Sequence, residues 1–237
     1  MNETIDLMLS HSSVRRFTEE AISEEHLQAI ISAGRAASTW KNFQSYSIIV
    51  VRSNEKKEAL HALTPQPAIL QADTILLFVG DHYRASKAAE LHQSDFDAKG
   101  PENLLISSVD AALAGQNSLL AAESLGYGGV FIGMIRHVAC EVAALFKLPD
   151  YTYPIFCIAL GKPNQHFPVK PRLPHDAIVF QEEYKEQGLE TVLAYDQIQS
   201  DYAGARQKET WSERLVAQFG QAEQESTKTL LKEKHLL

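Results

Sequence analysis

The chain has 237 residues, of which 45% are hydrophobic, 8% aromatic and 22% charged, enough for one large domain or two small ones around a sizeable core. Its formal net charge of −8 excludes a general nucleic-acid or anionic-membrane binder, which needs a basic surface, but leaves room for a local basic pocket. Its two cysteines, Cys140 and Cys157, lie far apart and suggest neither a disulfide framework nor a zinc site.

No uninterrupted apolar run approaches the roughly 18 to 20 residues of a membrane-spanning helix. The first ten residues lack the basic start and apolar centre of a signal peptide, so the expected compartment is the cytoplasm. Ile5, Leu7, Met8 and Leu9 predict a short amphipathic helix. Ser23 then reads as an N-cap, with Glu24 and Glu25 where carboxylates suit the helix dipole, and Leu27, Ile30 and Ile31 as the apolar stripe. Buried strands are predicted at 47–51 (SIIVV), 74–80 (TILLFVG), 129–132 (GVFI) and 155–160 (IFCIAL), all short, apolar and β-branched or aromatic. Residues 83–103 read as a polar excursion broken at Gly100-Pro101. The clearest helix spans 108–125, apolar on most sides and stopped by Gly126, which suits the core or a subunit contact. Another helix spans 139–146 and ends before Pro149. Beyond Pro174 the chain is acidic and helical, a composition that suits a tail wrapping a partner subunit. Strands interspersed with helices make the class α/β or α+β.

The nine histidines form no metal motif, and there is no Gly-x-Ser-x-Gly elbow, Walker loop or Gly-x-Gly-x-x-Gly. Three segments carry the remaining chemistry. In His11-Ser12-Ser13-Val14-Arg15-Arg16-Phe17, positions 11, 13 and 15 project to one side of an extended chain. Imidazole, hydroxyl and guanidinium then converge, which suits a phosphate and a polyol; the alternative is a solvated basic turn. In Lys170-Pro171-Arg172-Leu173-Pro174 the prolines stiffen the backbone and put Lys170 and Arg172 on one side, either as an anion clamp or as an exposed linker. In 126–133 (GYGGVFIG) the glycines admit either a flat ring close to the backbone or a helix stop followed by a bulged strand.

Together, and in this order, these segments resemble the oxygen-insensitive NAD(P)H nitroreductase and flavin reductase family, which is FMN-dependent. The resemblance runs through nearly the whole chain. It includes Ala36-Ala37-Ser38-Thr39, Gln44, Ser47-Ile48-Ile49, Ala121-Ala122-Glu123-Ser124-Leu125-Gly126 and Thr210-Trp211-Ser212. It implies an α+β fold, with a central, mainly antiparallel sheet flanked by helices and a C-terminal extension wrapping the dimer partner. It further implies an FMN-binding core over 1–175 and a helical extension of the same domain over 176–237.

By that resemblance, His11, Ser13 and Arg15 hold the ribityl chain and phosphate, while Lys170 and Arg172 approach the phosphate and the ring. Gln66 faces the ring's polar edge. Phe131, Ile132, Gly133 and Met134 lie along the ring, and Ser38 and Thr39 come from the other subunit. Arg206 and Lys208 are candidates for the 2′-phosphate of NADPH. Two departures stand out. Met134 replaces the second glycine of the family's Ile-Gly-Gly, and Trp40 and Lys41 replace a small serine-rich stretch beside the substrate pocket.

The implied activity is an FMN-dependent NAD(P)H oxidoreductase that reduces nitroaromatics, quinones or related acceptors. It would work by two-electron, ping-pong hydride transfer through flavin N5, with no catalytic side chain. The implied partners are NAD(P)H, a small-molecule acceptor and a second copy of the chain, with no nucleic acid and no membrane. The alternatives are an NAD(P)H:flavin reductase supplying reduced flavin, a non-catalytic FMN-storage protein, and an interaction protein with no cofactor.

Overall fold

A computed structural model of the chain describes residues 2–219 and 225–237. These residues form two units. The first runs to Phe167 and is rejoined by the stretch containing Glu225–Glu233; the second begins at Pro168.

In the first unit, α1 (Glu3–Leu9) is capped by the Asn2 side chain, which accepts from the Ile5 N–H at 3.0 Å. The cap of α2 (Glu24–Arg35) is Ser23, whose hydroxyl accepts from the His26 N–H at 3.1 Å. The strand β1 (Tyr46–Val51) leads into α3 (Asn54–Leu63) and α4 (Pro67–Gln71). Then follow β2 (Thr74–Asp81), α5 (Tyr83–Leu91), α6 (Pro101–Ser124), β3 (Gly128–Ile132), α7 (Ala139–Leu145) and β4 (Thr152–Gly161).

The strands pair antiparallel throughout, in the order β1-β2-β4-β3. The two central strands are apolar without alternation because both faces of the sheet are covered: all ten residues of β4 are buried, and all of β2 except Asp81. The irregularity in the ladder lies between Phe78 and Val79 of β2, and the glycine-rich β3 pairs in unbroken register with β4. The class is α+β.

The long helix α6 packs on all four strands and on α2. At Gly34 of α2 a Cβ would lie 2.1 Å from Ser118 Oγ of α6, so the glycine sets how closely the two helices cross. By length and composition, α6 is apolar enough to cross a membrane; here Ser107, Asp110, Ala111, Ala114 and Ser118 of it are buried in protein. It begins at Pro101, seven residues before the apolar pattern at Ser108, so the Gly100-Pro101 pair is a helix start. Proline at N1 loses no intrahelical bond, and Gly100 turns in at φ 108°. Its end follows the Schellman pattern, with Gly126 at φ 80° and the Tyr127 N–H on the Ala122 carbonyl at 3.0 Å.

The second unit contains α8 (Leu189–Ala203) and α9 (Trp211–Phe219). Asp196 of α8 accepts from the Ser212 N–H at 2.8 Å and from its hydroxyl at 2.5 Å, and these bonds hold its carboxyl below the usual carboxylate range. Trp211 packs edge-on against Tyr195 at 4.9 Å. The chain then re-enters the first unit. There α10 (Glu225–Glu233) sets Leu230 and Leu231 into the core, with Leu236 just beyond it.

Candidate functional site

The segment 11–17 lies against β3. The Val14 N–H donates to the Gly129 carbonyl at 2.9 Å, and Phe17 bridges to Pro163. Val14 and Phe17 are buried, whereas His11 and Ser13 are half-buried and Arg15 is exposed. Gly128 makes the approach possible, since a Cβ there would meet Val14 Cγ2 at 2.7 Å. Burial along the segment does not follow strict alternation: Phe17, in step with 11, 13 and 15, turns onto the sheet side with Val14, while Arg15 and Arg16 are both exposed. Behind His11, Glu123 from the last turn of α6 places Oε1 2.6 Å from Nδ1.

Farther along β3, Phe131 is 37% exposed between buried Val130 and Ile132. Its ring rests on Phe156 at 4.9 Å, and Phe156 stacks on Phe78 at 5.0 Å. Beyond the strand, Met134 meets Gln66, whose amide donates to Sδ at 3.1 Å. Two residues of separate origin in the sequence, Gln66 and Met134, are thus in contact. Gly133 sits against Arg136, whose guanidinium donates to the Ile155 carbonyl at 2.8 Å.

Ser38, Thr39 and Trp40 line a cavity of about 290 Å³ together with Leu105, Val109 and Leu113 of α6. Trp40 also lines a second cavity of about 870 Å³, with Arg35, Phe43, Tyr46 and Arg84. Burial there pushes the Tyr46 phenol up, against the opposing charge of Arg35. The loop between these residues is strained, with Lys41, Asn42 and Gln44 at φ 48°, 58° and 54°. It is held from beneath by Asp110, which the sequence reading passed over. Its buried carboxylate accepts from the Trp40 N–H at 2.9 Å and the Ser45 N–H at 3.0 Å, clamping both ends of the loop. The signal for it was a carboxylate in the middle of an apolar helix. Above the clamp, Lys41 Nζ lies 4.4 Å over the Trp40 ring and Phe43 meets that ring edge-on at 5.4 Å.

Within the second unit, Lys170 and Arg172 are exposed on either side of Pro171, whose carbonyl accepts from the Tyr195 hydroxyl at 2.8 Å. Tyr202 fixes the Pro168 carbonyl in the same way at 3.1 Å. Arg206 donates to the carbonyls of Tyr202 and Ala203 at 3.0 and 3.2 Å, closing the C-terminal end of α8. Lys208 is exposed.

An imidazole, a hydroxyl and a guanidinium in one accessible segment docked on β3, the strand that also carries the part-exposed Phe131 ring, are groups that suit an anion, hydroxyls and a flat ring system. Residues 8–162 match the family model described as the nitroreductase family, and residues 170–237 match its C-terminal domain. The chain belongs to the nitroreductase family. It is accordingly an enzyme, an oxidoreductase. Among relatives, an NADPH-dependent oxidoreductase of Staphylococcus saprophyticus is 37% identical over 92% of this chain and 91% of its own length. An NADPH-flavin oxidoreductase of Vibrio harveyi is 38% identical over 92% of each chain. Solved nitroreductase-family structures superpose closely. Nitroreductase A from Vibrio parahaemolyticus gives a TM-score of 0.93 at 37% identity, covering 100% of this chain and 98% of its own. The NADPH:FMN oxidoreductase of Vibrio harveyi, complexed with NAD+, gives 0.91 at 36% identity, covering 99% of each. The α+β architecture is therefore the nitroreductase fold.

Proposed function

We propose that this enzyme binds FMN and passes electrons from NADPH to small acceptors, nitroaromatics and quinones among them. The observation that supports the reading is the docking of 11–17 on β3 through Val14 and Phe17, with His11 and Ser13 left half-buried and Arg15 exposed. The names of the Staphylococcus and Vibrio relatives support the reductant and the flavin. Bound FMN supplies the hydride chemistry that amino-acid side chains lack. The chain's own residues bind and orient. His11, Ser13 and Arg15 hold the ribityl and phosphate end. Phe131, Ile132, Gly133 and Met134 border the ring, and Gln66 meets its polar edge. Ser38 and Thr39 reach the site of a second copy, and Trp40 and Lys41 border the acceptor. The second unit offers its own anion contacts: Lys170 and Arg172 on a backbone pinned by α8, and Arg206 and Lys208 for the 2′-phosphate of NADPH. Free flavin as the acceptor is the second reading, favoured by the name of the Vibrio harveyi relative.

FMN titration of the apo-protein tests the site. Arg15→Ala should weaken binding by about 1.5 to 3 kcal/mol, roughly ten- to over a hundredfold in Kd, through loss of a bond to a charged phosphate. Unchanged affinity would reduce the segment to a basic turn. NADPH oxidation against menadione, nitrofurazone and FMN then ranks the acceptors, and no turnover with any of them would leave a flavin-storage protein.

A further inference from the structure

Glu123 lies in a stretch that carries the family resemblance, yet nothing assigns it a task. Its surroundings explain why it is an odd choice for helix stability. It sits in the last turn of α6, where the negative end of the helix dipole disfavours a carboxylate, and that turn carries no basic residue. Its side chain is 11% exposed, and that of His11 is 25% exposed. The gap of 2.6 Å between Oε1 and His11 Nδ1 lies just below the usual nitrogen–oxygen range, in the direction that a charged partner shifts it. An ionised carboxylate can only accept, so the bond requires a proton on Nδ1.

We propose that Glu123 is the positioning residue for His11, fixing the ring so that Nε2 is the nitrogen presented to the ribityl and phosphate end of the cofactor. The inference rests on the reading of His11 as a flavin contact. Without the carboxylate, an imidazole at the end of an extended segment can rotate and carry its proton on either nitrogen, so two of its states present the wrong group. With it, one orientation and one Nδ1–H are selected before the ligand arrives. Nε2 then accepts from a ribityl hydroxyl in the neutral ring and donates to a phosphate oxygen in the protonated one. The same logic governs histidines held by a carboxylate behind a metal, where the outer partner sets which nitrogen faces the ion. A purely structural role, tying the end of α1 to α6, would need the bond but would be indifferent to His11's other nitrogen.

The test combines ring-nitrogen spectra with a double-mutant cycle. Long-range ¹H–¹⁵N spectra of the apo-protein, with His11→Ala to assign the signal, should show His11 protonated at Nδ1. In Glu123→Ala the same ring should shift toward the Nε2–H form. FMN titration should show Glu123→Ala weakening binding by about tenfold, the size of one lost charge-assisted bond. The effect should vanish when His11 is already alanine. The isosteric Glu123→Gln, which preserves packing at the end of α6, should show a smaller loss that also vanishes in the His11→Ala background. A parent His11 bare at Nδ1 overturns the proposal without any variant. So does a Glu123 effect that persists undiminished without His11, since the carboxylate would then be supporting the fold. If His11→Ala binds FMN like the parent, the flavin-contact reading itself fails. If His11→Ala is weakened and neither Glu123 variant is, the positioning role alone fails.

Discussion

Cys157, in the middle of β4, has no solvent-exposed surface, and burial pushes its thiol from 9.0 up to about 12. The folded protein keeps the proton while the unfolded chain begins to release it near the ordinary thiol value. Stability from this group is therefore intact below about pH 9 and falls as pH rises from there toward 12, by at most about 1.4 kcal/mol per pH unit. Tyr153, whose phenol burial also pushes up, acts in the same direction. Denaturant unfolding at pH 8, 9 and 10 should show a declining stability that is shallower in Cys157→Ala, and equal slopes would mean that the thiol is hydrated. Burial of this degree was legible in the run IFCIAL. The partners of polar side chains were not. Asp110 and Glu123 look like two ordinary interruptions of an apolar helix, and each finds its task 65 or more residues away in the chain. Alternation along an extended chain is a local property that suggests His11, Ser13 and Arg15 as a set, yet Phe17, next in the same alternation, is buried, a tertiary contact that alternation alone does not foresee.

At the scale of elements, the four strands and the apolar helix could be read from the sequence because their composition leaves no other arrangement. What escaped was polar helix. Residues 83–103 read as an excursion, and Tyr83–Leu91 of that stretch is α5. α3 went unread because its lysines hide its packing: Lys57 is buried and sends its ammonium to the Ala72 carbonyl at 2.9 Å. Edges also moved, with β4 starting three residues early at Thr152. α6 joins fold to candidate site through Gly115. A Cβ there would lie 2.8 Å from the Phe156 ring and 3.1 Å from Phe131. Gly115→Ala gains about 1 kcal/mol of helix propensity and loses about 1 to 3 kcal/mol to overpacking. We expect a net loss of about 1 kcal/mol, seen as a thermal midpoint lowered by about 2 to 4 °C. A raised midpoint would show that both rings yield freely.

At the scale of the whole molecule, Leu105, Val109 and Leu113 form an exposed apolar stripe along α6, spaced one helical turn apart and beside Ser38 and Thr39. A second copy covering that stripe is the arrangement we expect, with the 38–39 segment completing the partner's site. Light scattering should give a dimer, and Val109→Glu should shift it toward monomer with loss of FMN; a Val109→Glu dimer holding FMN would place the contact elsewhere. The return of the chain into the first unit has a consequence in time. Leu230, Leu231 and Leu236 complete a core begun near Val14, and the Lys234 and Leu236 carbonyls accept from Tyr151 and Gly100 at 3.0 and 3.1 Å. The whole second unit is synthesised between those two halves of one core. During translation, the sheet and α6 must therefore wait with an open apolar face until α10 emerges, so the nascent chain is exposed to aggregation for longest just before this last helix arrives.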